Sequence, residues 1–130
     1  MGASRNYTLQ INEAASGGTT TYYLNFDRRV EIENISIVAG ATMTAVPSNY
    51  NTLTWYGNDG ATALCGRNTN SAGTGTTITA GTSEDLTLIN MNKSNFSGSQ
   101  SMRIVSDQAG SGVATNLTIN VLARDGRYFS

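Results

Sequence analysis

The feature that most constrains this chain is a series of short runs in which apolar and polar residues alternate. In "YTLQIN", the apolar Tyr7, Leu9 and Ile11 are separated by single polar residues. A period of two is that of a β-strand with one buried and one solvated face. The pattern recurs between Gly- and Asn-rich breaks in "TTYYLNF", "TLTWY", "DLTLIN", "MRIV" and "NLTINVLA". Because no window shows a helical period, the sequence predicts an all-β fold.

One run breaks its own alternation. In "RVEIENISIVAG" the apolar phase passes through Val30 and Ile32 and resumes one residue late at Ile35 and Ile37. A straight strand cannot bury all four on one side, because a one-residue slip turns side chains to the opposite face. We therefore expect a β-bulge or a sheet-switching bend near residues 33–34, a feature typical of the corners of sandwiches and jelly rolls.

The length of 130 residues suits one domain with one core. The spacing of the runs predicts an antiparallel β-sandwich, jelly-roll-like, with about eight to ten short strands. Further expected elements are a strand over residues 41–46 and a hairpin that turns at residues 58–60. We expect the domain to carry a short N-terminal arm at residues 1–6 and a C-terminal tail at residues 124–130.

The residue types argue against catalysis. The chain has no histidine, which removes the commonest general base and metal ligand. Cys65 is the single cysteine, so no intrachain disulfide can form, and in "ATALCG" we expect it to be a small buried hydrophobe. Glu31 and Glu33 alternate with apolar residues and are expected to be solvated. We predict no enzyme activity, no cofactor and no metal.

Charge and hydropathy exclude further classes of partner. Charged residues make up only 13% of the chain and the net charge is −1, so we expect neither nucleic acid nor an anionic membrane as a partner. The start "MGASRNYTLQ" has no apolar stretch of signal-peptide length, and no run is long enough to span a bilayer. We expect a soluble protein that is not exported.

Two groups of residues are candidate binding sites. Trp55 and Tyr56 are neighbours on a predicted strand and must point to opposite faces, as must Tyr22 and Tyr23. Tyr23, Trp55 and Tyr56 are therefore candidates for stacking on a ligand or anchoring an interface. The second group lies in the tail "ARDGRYFS", where Arg124, Arg127, Tyr128 and Phe129 supply the arginine and aromatic anchors of protein interfaces.

In its overall make-up the sequence resembles the small β-sandwich or jelly-roll proteins of tailed-bacteriophage virions, particularly capsid decoration or cement proteins. The resemblance rests on the "MGASRN" start, on Thr-, Asn- and Gly-rich strands such as "GTGTTITAGTSEDLTLIN", on the missing histidine and disulfide, and on the size. It implies a structural protein of the virion, assembled in the host cytoplasm. It also implies binding to the major capsid protein or other virion subunits and a homo-oligomer, with a trimer favoured.

Two other functions stay open at this point. A carbohydrate-binding module, or the receptor-binding domain of a phage fibre, would use Tyr23, Trp55 or Tyr56 for stacking, with Asn58 and Asp59 bonding to hydroxyls. A glycosidase built on carboxylates alone would need two acids facing each other across a groove.

Overall fold

The computed structural model describes residues 3–126. The chain forms β1 (Ser4–Glu13), β2 (Gly18–Asn25), β3 (Val30–Ala39), β4 (Asn51–Tyr56), β5 (Ala63–Asn68), β6 (Ser83–Leu86), β7 (Asn95–Phe96), β8 (Ser101–Gln108) and β9 (Thr115–Asp125). A short 3-10 turn, Met91–Lys93, precedes β7. Every pairing between these strands is antiparallel.

The strands form two sheets in jelly-roll order. The first sheet runs β1-β9-β3-β6, with the two-residue β7 also pairing with β3, and the second runs β2-β8-β4-β5. Setting β7 aside, strands from the start of the chain pair with progressively earlier strands from its end: β1 with β9, β2 with β8, β3 with β6 and β4 with β5. Successive pairs alternate between the sheets, which is the arrangement of a jelly roll. The predicted fold class is confirmed.

The core lies between the two sheets. From Leu117 to Ala123, every second residue of β9 is buried and apolar, and Leu117, Ile119 and Val121 face the side chains of the second sheet. The second sheet contributes Trp55 and Ile104, among others. The alternation in the sequence therefore marks the inner face of β9 correctly.

The expected irregularity in β3 is a bulge. The register against β9 shifts between Ile32 and Asn34, so that Glu33 is the extra residue, and Ile32 and Ile35 are both buried. Because β3 pairs with β9 on both sides of the shift, the strand stays in one sheet and does not switch. The slip of the apolar phase is absorbed locally, as a bulge allows.

The structure differs from the expected boundaries in three places. Residues 4–6, expected in the N-terminal arm, begin β1, and Arg124 and Asp125, expected in the C-terminal tail, end β9. These two segments pair with each other, since Ser4 lies opposite Arg124. Residues 41–46 are not a regular strand. Met43 forms a single bridge with Ile78, exchanging hydrogen bonds of 2.9 and 3.0 Å, and only Met43 of that run is buried.

Candidate functional site

The outer face of the second sheet carries a row of three side chains, Tyr23, Arg103 and Tyr56, on the adjacent strands β2, β8 and β4. Tyr23 lies directly opposite Arg103 in the register of β2 and β8. The guanidinium of Arg103 lies 4.0 Å from the centre of the Tyr56 ring. With 59% of its surface exposed, Tyr23 is the most exposed of the large apolar side chains in the described part of the chain. We call this set the tyrosine–arginine row.

Arg103 is held in place from two sides. Its Nε and Nη2 atoms donate hydrogen bonds of 3.1 and 2.9 Å to the carbonyl oxygen of Gly60, in the turn between β4 and β5. The cation–π contact with Tyr56 adds about 0.5 to 1 kcal/mol at an exposed site. Because the guanidinium is fixed, the row presents a rigid combination of aromatic surface and positive charge.

Two residues expected to bind hydroxyl groups are engaged within the hairpin turn. The carboxylate of Asp59 accepts hydrogen bonds from the backbone N–H groups of Ala61 and Thr62 and from the Thr62 hydroxyl. These bonds hold the pKa of Asp59 well below its usual range. The amide of Asn58 donates to the carbonyl oxygen of Asn95 at 2.7 Å. The Asp59 side chain stabilises the turn, the Asn58 side chain joins the turn to β7, and neither belongs to the tyrosine–arginine row.

The expectation that Trp55 could stack on a ligand is wrong. Its side chain has 0% exposure and packs in the core opposite Cys65, so it cannot stack on an external ligand. The alternation along β4 that buries Trp55 is what places Tyr56 on the outer face. Cys65 is buried as expected, and burial raises the pKa of its thiol to about 12, which keeps it protonated and unreactive.

A second candidate site is a cleft of about 560 Å³ beside the bulge of β3. Its lining combines charged, amide and aromatic groups: Arg29, Glu31, Asn95, Phe96, Ser97, Gln100 and Arg124. The Arg124 guanidinium contacts the Glu31 carboxylate and lies 4.0 Å from that of Glu33. Glu33 also accepts a 2.6 Å hydrogen bond from the hydroxyl of Ser4. We call this site the Arg124 cleft.

The carboxylates of the Arg124 cleft do not form a glycosidase pair. Glu31 and Glu33 both interact with one guanidinium, and Glu31 is the one acid among the residues that line the cleft. Glycoside hydrolysis requires two carboxyl groups on opposite sides of the scissile bond. The expectation that these glutamates lie on the outer face of β3 is correct, but both interact with Arg124, and Glu31 is half-buried while Glu33 is exposed.

The predicted tail anchors fall largely beyond the described residues. Arg127, Tyr128 and Phe129 lie outside residues 3–126, and their role stays a prediction. The last described residue, Gly126, donates its N–H to the carbonyl oxygen of Arg29 at 2.8 Å. Since Arg29 lines the Arg124 cleft, the described chain ends beside that cleft.

Within residues 3–126, no group of three or more Asp, Glu, Cys or His side chains could hold a metal ion. That same stretch contains no helix of sufficient length and apolar character to cross a membrane.

Neither the models of known protein families nor the curated protein sequences give a match to this chain. Several solved virus structures, in contrast, align with it. A structure of Desmodium yellow mottle tymovirus aligns over 100% of this chain and 91% of its own, with a TM-score of 0.41 and 11% identity. A structure of turnip yellow mosaic virus covers 100% and 98%, with a TM-score of 0.38 and 9% identity.

A structure of the Gx strain of infectious bursal disease virus aligns with a TM-score of 0.38 and 20% identity, over 96% of this chain. The alignment covers 33% of the viral chain, so the present protein spans about a third of the length of that chain.

Proposed function

We propose that this protein is a non-enzymatic structural component of a virion, and specifically a capsid decoration or cement protein of a tailed bacteriophage. The observation that carries the proposal is the jelly-roll strand order, β1-β9-β3-β6 against β2-β8-β4-β5. This architecture is found in viral capsid domains and in lectins. Since a fold alone does not define a function, the choice between these classes depends on the side chains.

Away from the Arg124 cleft, β1 and β9 of the first sheet present a largely polar and uncharged outer face. Neighbouring strands are joined there by side-chain hydrogen bonds, such as Asn6 to Asn120 at 3.1 Å and Gln10 to Thr118 at 2.8 Å. With a net charge of −1, copies of the protein repel each other little and can be packed side by side. Such a surface suits a protein that is repeated many times on a shell.

The contacts with the shell are assigned to Arg124 and to the tail residues Arg127, Tyr128 and Phe129. Arginine and aromatic side chains are enriched at the centres of protein interfaces. The partners in this proposal are the major capsid protein and other virion subunits. Repetition over many equivalent sites converts modest affinities into a stable shell.

Deletion of residues 127–130 tests the proposal. A longer deletion that began at Arg124 would also remove the end of β9 and the ion pairs of Arg124 with Glu31 and of Asp125 with Arg5. The shorter deletion leaves every described strand intact. We expect its unfolding transition to match that of the full chain and its co-sedimentation with shells lacking this protein to fall at least about tenfold.

A matched pair of variants separates the anchors from the length of the tail. The double variant Tyr128→Ala with Phe129→Ala removes both rings, whereas Ser130→Ala keeps them. We expect the first to lose shell binding and the second to retain it. Unchanged binding by the deletion and by the double variant would contradict the tail assignment. Absence of the chain from purified particles of the virus that encodes it would contradict the virion function itself.

The second candidate function is carbohydrate recognition, and the tyrosine–arginine row is the observation that favours it. Exposed tyrosine rings can stack on sugar rings, and a fixed guanidinium can bind hydroxyl or acidic groups. The buried Trp55 and the engaged Asn58 and Asp59 weaken this function. A glycan array probed with the full chain and with Tyr23→Ala tests it. A glycan bound by the first and not by the second would favour this candidate.

A further inference from the structure

The free edge of β2 differs from every other sheet edge of the described chain. Within residues 3–126, β2 makes backbone hydrogen bonds with β8 alone, and Tyr22 and Leu24 are its only residues that are not exposed. Its sequence, "GTTTYYLN", contains no charge and no proline, and its register with β8 shows no bulge. A long, uncharged, regular edge presents a row of unpaired N–H and C=O groups that can pair with another chain.

The other four edge strands are each protected, and the shortest of them, β7, has only two residues. The edge of β5 is covered by the following loop, where Ile89 N–H donates to the Leu64 carbonyl at 2.7 Å and the Asn90 amide to the Ala63 carbonyl at 2.9 Å. The edge strand β6 has four residues, of which two are acidic. Short strands, charges and covering loops are the usual means by which proteins prevent edge-to-edge pairing.

The edge strand β1 is protected by charges near both of its ends. Arg5 lies 3.5 Å from Asp125, and Glu13 accepts hydrogen bonds from Ser106 and Gln108. Both side chains belong to the face of β1 that turns towards the second sheet, since Arg5 lies opposite the buried Ala123. Inward-pointing charges are a further device that blunts an edge. Among the sheet edges of residues 3–126, β2 alone lacks such a device.

We propose that the free edge of β2 is a contact surface for a second copy of this chain, paired antiparallel about a two-fold axis. In such an isologous contact each residue of β2 faces a residue of the same strand. Like charges directly opposite each other destabilise a sheet. Because β2 has no charged residue, pairing with its own copy brings no like charges together. The strand is instead rich in threonine and tyrosine, which favour cross-strand packing.

The contact joins the second sheet of one copy to the second sheet of the other, so that the two form one continuous sheet. A strand of eight residues is about 26 Å long, so the paired edges run along the whole side of the sandwich. The order across the joint is β5-β4-β8-β2 followed by the same strands of the other copy in reverse. Both tyrosine–arginine rows then lie on one continuous face, which doubles the binding surface offered to any partner. This inference does not depend on the proposed virion function.

The test is the mass of the full chain in solution, measured by analytical ultracentrifugation from about 1 to about 500 µM. We expect a concentration-dependent dimer. The variant Thr21→Lys places a charge in the middle of the β2 edge and, through the two-fold axis, close to its own copy. We expect it to weaken dimerisation at least about tenfold. Thr54→Lys, on the central strand β4 of the same sheet, is the matched control and should leave the dimer intact.

Hydrogen exchange supplies a second measurement. Amides of β2 should become less protected as the full chain is diluted, while those of the central strand β9 should not change. In Thr21→Lys the exchange of β2 should be independent of concentration, and circular dichroism should match the unsubstituted chain. A monomer at every concentration overturns the proposal. So does a trimer, or any oligomer that persists in Thr21→Lys, and neither result bears on shell binding by the tail.

Discussion

Replacing Asn51 by aspartate tests the buried polar contact that joins the two sheets. Asn51, on β4, is fully buried, and its amide Nδ2 donates to the hydroxyl of Ser106 on β8 at 2.9 Å and to that of Thr115 on β9 at 2.7 Å. The Ser106 hydroxyl in turn donates to Glu13, and the Thr115 hydroxyl donates to the carbonyl of Val113. Both hydroxyl hydrogens are therefore in use, and both oxygens need a donor at position 51.

The cost of Asn51→Asp has two parts. A carboxylate cannot donate, so two hydrogen bonds worth about 0.5 to 1.5 kcal/mol each are lost, or about 1 to 3 kcal/mol together. The new charge is buried without a cation and near the carboxylate that accepts from Ser106, which costs several kcal/mol more. We expect the free energy of unfolding at neutral pH to fall by at least about 3 kcal/mol, a large share of the usual 5 to 15 kcal/mol.

The penalty should depend on pH. Burial raises the pKa of the new carboxyl in the folded state above its unfolded value of about 4. The penalty is therefore complete above the folded pKa and shrinks as the pH falls through it. A protonated carboxyl also regains one donor, which can serve Ser106 or Thr115.

Urea denaturation of Asn51→Asp at two pH values measures this effect, with the fluorescence of the single tryptophan, Trp55, as the probe. The control is Asn120→Asp, the same exchange on the outer face of β9. There the side-chain oxygen accepts from Asn6 and Thr8, a role that a carboxylate keeps, so we expect a change within about 0.5 kcal/mol. Equal losses in both variants, or a loss under about 1 kcal/mol in Asn51→Asp, would refute the reasoning.

Three further predictions follow from burial. Trp55→Ala should lower the free energy of unfolding by about 3 to 5 kcal/mol and Tyr23→Ala by less than about 0.5 kcal/mol, which urea titrations of the two variants compare. Cys65 should react with a thiol reagent at about pH 8 only after the chain is unfolded, since burial raises its pKa to about 12. Burial and the hydrogen bond to Glu13 raise the pKa of Tyr22, so the unfolded chain loses this proton first and stability should fall as the pH rises above about 10. In Tyr22→Phe the fall of the free energy of unfolding with rising pH should be less steep, as unfolding experiments at several pH values would measure. The same steepness in both chains would show that the Tyr22 hydroxyl does not stay protonated in the folded state.

The faces of the strands could be predicted from the sequence because burial in a sandwich follows a period of two. The alternation placed Tyr23 outward and Trp55 and Tyr56 on opposite faces, and the phase slip in β3 located the bulge. Both are local properties. The run at residues 41–46 also alternates, yet it forms only isolated bridges at Met43 and Val46, because a strand needs a neighbour along its length and the pattern alone does not supply one.

The partners of the site residues could not be predicted in the same way. Arg103 joins Tyr23 and Tyr56 because β8 lies between β2 and β4, an order that depends on pairings between distant parts of the chain. The alternation of "MRIV" does place Arg103 outward, but nothing in that run indicates an aromatic neighbour. Arg124 was expected in a tail and is instead the last outward side chain of β9, fixed by its register with Ser4 and Glu31.

The bulge in β3 has a consequence for how this strand could be rebuilt. With Glu33 removed, the run would read "VEINISIV", in which Val30, Ile32, Ile35 and Ile37 alternate without interruption. The core therefore does not need the extra residue, and a chain shortened there keeps every apolar side chain inward. The shortened chain loses Glu33, the second acid beside Arg124. The bulge therefore shapes the surface of the protein and not its interior.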